Sequence, residues 1–175
     1  MEELGSMFNN EWIFLNEKLS DVKLRTACGK EIPAHRVLLA NASPVFKAMF
    51  SHDMLENNNK VVNITDISYD AAVEMLRYIY KGSVVETQEF SLTAEVLAAA
   101  DKYQLKGLKN KCERILGSNL STENAFVALK IARTYSSNHL KKQAVDFVRC
   151  IIDGTLNVNQ LNDAILSLIR FVSKQ

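Results

Sequence analysis

Apolar and polar residues alternate over Val22-Lys23-Leu24-Arg25, the period of a half-buried strand. Cys28-Gly29-Lys30 supplies a turn and Glu31-Ile32 a returning partner, so a hairpin is expected there. Val61-Val62-Asn63-Ile64 reads as a third strand. Elsewhere the period is helical. Glu2 to about Lys18 is expected to be a helix with Leu4, Met7 and Phe8 on one face, weakened at Asn9 and Asn10. Trp12-Ile13-Phe14-Leu15 is apolar on every side, so something must bury it, a second chain being one means. Ala34–Ala40 is short and compatible with a helix. Ser43 caps the next helix with Pro44 at its first position, and Val45, Met49 and Phe50, with Phe46 beside them, form its apolar side. Ser68 can cap Tyr69–Tyr80, which carries Val73, Leu76 and Tyr80 on one face and ends at Lys81-Gly82. Further helices are expected at Leu92–Tyr103, around Leu108, Cys112 and Ile115, at Thr122–Thr134 capped by Ser121, at Leu140–Ile152, and at Leu161–Val172. The last has an apolar stripe of Leu161, Ala164, Ile165, Leu168, Ile169 and Val172. A few early strands followed by a run of helices predict an α+β domain with an all-helical extension.

Composition narrows this picture. With 175 residues, 47% of them hydrophobic and 23% charged, the chain can bury a core as one domain with a small appendage. The net charge of +1 gives no support for nucleic-acid binding, and Lys106, Lys109, Lys111, Lys141 and Lys142, balanced by Asp101, Glu113 and Asp146, read as solvated helix faces. No uninterrupted apolar segment of about 18 residues predicts a membrane helix, and the acidic start is unlike a signal peptide. Three cysteines at long spacings argue against a disulfide framework and for an intracellular, reducing compartment.

Candidate chemistry is sparse. His35, His52 and His139 have no Cys or His at zinc-site spacing, so no metal site is expected. There is no glycine-rich phosphate loop and no G-x-S-x-G elbow, so neither a cofactor nor a catalytic residue is expected. Cys28 falls at the hairpin tip, while Cys112 and Cys150 fall in apolar helices where buried structural thiols are the common outcome. His35 is expected to pack between strand and helix with a hydrogen bond to backbone. Asp21 and Arg36 are either surface charges or a buried pair that enforces pairing specificity.

Ser20-Asp21-Val22, Ala34-His35-Arg36-Val37-Leu38-Leu39-Ala40 and Ser43-Pro44-Val45-Phe46-Lys47-Ala48-Met49-Phe50 together resemble the signature of the BTB/POZ family. Glu74–Gly82 resembles the family helix that ends in a Y-x-G turn, and Ala98–Leu105 its next helix. Ser118–Ala125 resembles the segment after the domain in the speckle-type POZ and TD-POZ branch. The resemblance implies a BTB fold of a small sheet flanked by helices: a dimerisation helix at 1–19, a core at 20–116 and a three-box or partial BACK extension at 117–175. It implies a homodimeric adaptor for a cullin-3 ubiquitin ligase, acting without catalysis in the nucleus or cytoplasm. Met54-Leu55-Glu56 fits the family's φ-x-E contact with the cullin-3 N-terminal domain, and Leu120, Asn124, Ala125 and Leu129 are the cleft residues after it. Leu4, Met7, Phe8 and Leu38 are the implied pairing residues. Between Phe8 and Asp21 the chain carries about six residues more than the speckle-type pattern. Trp12 lies in that excess and joins the pairing set.

These 175 residues hold neither the MATH domain nor the propeller that relatives use to hold substrates. Three readings stay open: part of a longer protein, an adaptor that receives substrates otherwise, or a modulator that pairs with other BTB proteins. An oligomerisation module without cullin affinity is the alternative function.

Overall fold

The computed structural model describes residues 10–51, 60–83 and 89–152. Leu4, Met7, Phe8, Met54, Leu55, Glu56 and the expected helix Leu161–Val172 lie outside the described residues. The chain divides into two compact units, Met1–Lys111 and Cys112–Gln175.

In the first unit the strands are β1 (Val22–Thr26), β2 (Glu31–Ala34) and β3 (Val61–Ile64). β1 lies in the middle of a sheet of order β2-β1-β3. It pairs antiparallel with β2, Leu24 opposite Ile32, and parallel with β3, Leu24 opposite Val62. The alternation in sequence becomes alternation in space: Val22, Leu24 and Thr26 point inward while Lys23 and Arg25 face out and share Glu31. Gly29 makes the hairpin turn with φ 79°, a conformation that only glycine adopts without cost. Pro33 falls on an edge strand, where the missing N–H removes no essential ladder bond.

Helices α1 (Arg36–Ala42), α2 (Pro44–Ser51), α3 (Tyr69–Lys81) and α4 (Phe90–Lys102) follow. Ser43 caps α2 as the sequence predicts: its hydroxyl accepts the Phe46 N–H at 3.2 Å and donates to the Tyr103 carbonyl at 2.7 Å. The Phe46 and Tyr103 rings stack at 4.4 Å, so one serine and one ring pair tie α2 to the end of α4. Ser68 caps α3, accepting the Ala71 N–H, and Gly82 closes it at φ 67° with its own N–H on the Tyr78 carbonyl. Leu24, Ile64, Leu39, Phe46, Met75, Leu76 and Leu97 are fully buried.

Helix α5 (Lys106–Ser118) runs across the division between the units. In the second unit α6 (Ala125–Thr134) and α7 (Asn138–Ile152) form a helical hairpin. Ala128, Ala132, Leu140 and Ala144 are buried there, and small residues let the two helices approach closely. The Ser137 hydroxyl ahead of α7 donates to the buried Glu113 carboxylate at 2.5 Å.

Three expectations are corrected. The described part of the N-terminal segment is not a continuous helix: it holds a single 3-10 turn at Glu11–Ile13, and Leu15 at φ 57° breaks any helix through to Lys18. Ser121 does not cap a helix from Thr122. Its carbonyl accepts the Asn124 and Ala125 N–H groups in a turn, and α6 begins at Ala125. Cys150 is exposed rather than buried.

Helices α4 and α6 end on non-glycine residues in the left-handed region, Gln104 at φ 54° and Ser136 at φ 53°. In each case the next residue's N–H closes back on the helix, Leu105 to Ala100 and Ser137 to Ala132, both at 2.8 Å. Both left-handed residues are exposed. Gln104→Gly and Ser136→Gly are therefore expected to stabilise the chain by up to about 1 kcal/mol each, and Gly82→Ala to destabilise it by about 1 kcal/mol. Urea midpoints of the three variants check this.

Candidate interaction surface

Tyr80, in the last turn of α3, is buried apart from its edge and faces the start of α1. Its hydroxyl accepts the His35 backbone N–H at 2.9 Å and lies 2.7 Å from His35 Nδ1. The backbone N–H can only donate, so the phenol oxygen accepts it, while the direction of the Nδ1 contact is set by the ring tautomer. Nε2 is buried and has no partner among the described residues. His35 thus bonds a side chain 45 residues away rather than the expected backbone group.

Phe14 meets Tyr80 edge-on at 5.7 Å. The Arg77 and Lys81 cations stand over the Phe14 ring at 5.4 and 5.1 Å, and Lys81 also pairs with Glu11. Arg77 in turn pairs at 3.0 Å with Glu74, which is 8% exposed. The segment Glu11–Leu15 is therefore a strap fastened to one side of α3. Trp12, on the same turn, is left 71% exposed.

Asp21 and Arg36 do not form a buried pair through their charges. Asp21 is exposed, and its Oδ1 accepts the backbone N–H of Arg36, the first residue of α1, at 2.8 Å. The carboxylate supplies the cap that His35 does not. The Arg36 guanidinium stands 5.2 Å over the Phe50 ring at the end of α2. Leu38 is half-buried, while Val37, absent from the implied pairing residues, is 71% exposed. Its signal was present in sequence: two residues from the buried Leu39 is about 200° around a helix, hence the opposite face.

In the second unit Leu120 and Leu129 are half-buried, and Ala125 is fully buried, which gives it a packing role rather than an exposed contact. Asn124 turns its amide on its own chain: Oδ1 accepts the Ser121 N–H and Nδ2 donates to the Asn119 carbonyl, both at 2.8 Å. The amide thereby fixes the entry to α6.

Titratable groups serve the fold. Burial, with Glu113 adding to it, pushes the Cys112 thiol from 9.0 up to about 12. At the hairpin tip the Thr26 hydroxyl, 3.2 Å away, and Lys30 hold the Cys28 thiol below its ordinary value. Among the described residues no group of three or more His, Cys, Asp or Glu side chains is placed to hold a metal ion. No helix among them is long and apolar enough to cross a membrane.

Burial also pushes the Tyr80 phenol from 10.0 to about 12, the His35 N–H opposing and the Asp21 charge adding to the rise. Above its ordinary value such a group keeps its proton in the folded chain and loses it in the unfolded one. The folded state then binds more protons, and stability falls as pH rises. Urea midpoints are expected to drop progressively from about pH 9, where unfolded thiol begins to ionise, to about pH 12. Tyr80→Phe is expected to cost about 1–3 kcal/mol at pH 7 by leaving the His35 N–H and Nδ1 without their partner, measured by the same unfolding curves.

The BTB/POZ domain family model matches residues 11–120. TD and POZ domain-containing protein 4 of Mus musculus is 42% identical over 133 residues, which cover 76% of this chain and 36% of that protein. The chain thus spans little more than a third of that relative's length. Among solved structures, the BTB domain of zebrafish PATZ1 shares the fold with a TM-score of 0.50 at 22% identity, over 59% of this chain and 80% of that one. The BTB domain of human Gigaxonin gives a TM-score of 0.47 at 28% identity, over 55% and 76%. BTB domains are protein-interaction modules and commonly self-associate. The three-stranded sheet with its flanking helices and helical C-terminal extension is the α+β architecture of that fold, and this chain belongs to the BTB/POZ domain family.

Proposed function

We propose that the chain is a non-catalytic adaptor that pairs with a second copy and holds the N-terminal domain of cullin-3, so that bound substrates meet a ubiquitin ligase. One observation carries this reading: the family match over 11–120 encloses Met54-Leu55-Glu56, just past α2, at the spacing of the φ-x-E contact. The adaptable Met54 side chain suits an apolar groove on a partner, and Glu56 suits a polar rim. Leu120, Ala125 and Leu129, with Asn124 fixing the turn before α6, are the further candidates for cullin contact in the second unit. Pairing involves Leu4, Met7 and Phe8 in the segment 1–19, together with Trp12 and Leu38. The BTB core then spans 20–116 and the three-box or partial BACK extension 117–175. The work of such an adaptor is to raise effective concentration, inside the cell and without a cofactor.

Light scattering is expected to give a mass near twice 19.7 kDa, shifted toward the monomer by Leu4→Asp with Met7→Asp. Calorimetric titration with the cullin-3 N-terminal domain is expected to show binding. Met54→Asp with Glu56→Lys should abolish it and leave the pair intact. Undiminished binding by that double variant overturns the φ-x-E assignment. A paired chain without any cullin affinity leaves an oligomerisation module.

A further inference from the structure

We infer that Asn124 and Asn119 are positioning residues for partner binding in the second unit: their amides hold the backbone on both sides of Leu120, so that its side chain is presented in one orientation before a partner arrives. This rests on the reading above that Leu120 meets the cullin-3 N-terminal domain. It extends that reading to two side chains that act through Leu120 rather than by touching the partner.

The clamp is built from one carboxamide. Asn124 Oδ1 accepts the N–H of Ser121, and Nδ2 donates to the carbonyl of Asn119, both at 2.8 Å. Those two groups belong to the peptide bonds that follow and precede Leu120. Peptide units are planar, so holding both of them leaves the two soft dihedrals of Leu120 little freedom. Asn124 stands at the cap position of α6, yet its side chain makes no cap bond to that helix. An asparagine there ordinarily takes the N–H of the second or third helical residue. Here the amide is committed to the turn instead.

Asn119 anchors the other end. Its backbone N–H and its Nδ2 both donate to the Ile115 carbonyl, at 3.1 and 3.0 Å, in the last turn of α5. Its own carbonyl is the one that Asn124 takes. The Asn124 and Ala125 N–H groups close the turn on the Ser121 carbonyl at 3.3 and 3.0 Å. A run of hydrogen bonds therefore crosses the connection from α5 to α6 with Leu120 at its middle. Asn119 is exposed and Leu120 half-buried, so the turn stands at the surface. An apolar side chain on a loose turn loses backbone freedom when a partner binds it, and that loss weakens affinity. On a clamped turn the loss is already made in folding.

Calorimetric titration with the cullin-3 N-terminal domain tests this, with amide hydrogen exchange at Ser121 read on the free chain and urea unfolding on each variant. Leu120→Ala should weaken binding about tenfold. Asn124→Ala should speed Ser121 exchange and weaken binding about tenfold as well. Asn119→Ala, an exposed change that spares the core, should weaken it about threefold and carries the test if Asn124→Ala does not fold. In the Leu120→Ala background neither asparagine variant should lower affinity further, while its effect on the urea midpoint persists. An asparagine with only a structural role would weaken binding by the same factor in both backgrounds, and that result overturns the inference. So does wild-type affinity in both asparagine variants when Leu120→Ala binds weakly. Either outcome leaves the Leu120 reading standing. A wild type without affinity, or Leu120→Ala binding as tightly as the wild type, overturns that reading and the inference with it.

Discussion

One hydroxyl group holds together the parts of the first unit on which its candidate surface depends. The Tyr80 oxygen receives the His35 N–H and faces Nδ1, fixing the residue at which β2 gives way to α1. A buried backbone N–H without a partner is costly, and the short α1 has no side-chain cap of its own from His35. Tyr80 and Asp21 divide that work: the phenol takes the N–H of His35 and the carboxylate takes the next one, that of Arg36. The same phenol ring is the platform against which Phe14 stands. Sheet, α1, α3 and the strap thus converge on one residue, and it sits two positions before the glycine that ends its helix.

That convergence explains why a surface made of short pieces can be stiff. α1 has seven residues and the strap hardly more than one turn, lengths at which a helix in water has little stability of its own. Their shape comes from tertiary bonds to α3, the long helix with both ends closed, by Ser68 at the start and Gly82 at the finish. The joint between α2 and α4 is built alike: Ser43 satisfies the Phe46 N–H and the Tyr103 carbonyl at once, beneath the stacked rings. Long capped helices carry the short elements, and in the first unit the short elements carry the exposed Trp12 and Val37.

The features legible in sequence are those whose cause is local. Alternation at Val22–Arg25 gives β1, Ser43-Pro44 gives the start of α2, and Ser68 with Gly82 brackets α3. The features hidden from the sequence depend on partners distant in the chain or on backbone choices that side-chain pattern does not encode. Nothing near His35 announces that its partner is 45 residues on. The apolar run Trp12–Leu15 fits a helix by composition, yet Phe14 gains more by reaching Tyr80, and the chain takes a left-handed turn at Leu15. Ser121 looks like a cap, but Asn124 captures its N–H and starts the helix three residues later than its own position would allow. Two of the proposed pairing residues fall among the described ones, Trp12 and Leu38. The more exposed Val37 needed only the angular arithmetic of a helix to be found.

The fate of the reactive groups bears on what kind of protein this is. The buried Cys112 is kept protonated well past neutrality, so it is a poor nucleophile and a good core residue. His35 has one nitrogen committed to the Tyr80 hydroxyl and the other buried. The Asn124 amide is spent on its own turn. These three groups are turned inward, toward the core, a helix start and a turn. Among the described residues the large apolar side chains left facing water are Trp12, Leu19, Val37 and Val127, which perform no chemistry but can be covered. Membership of the BTB/POZ family, whose domains are protein-interaction modules, points the same way.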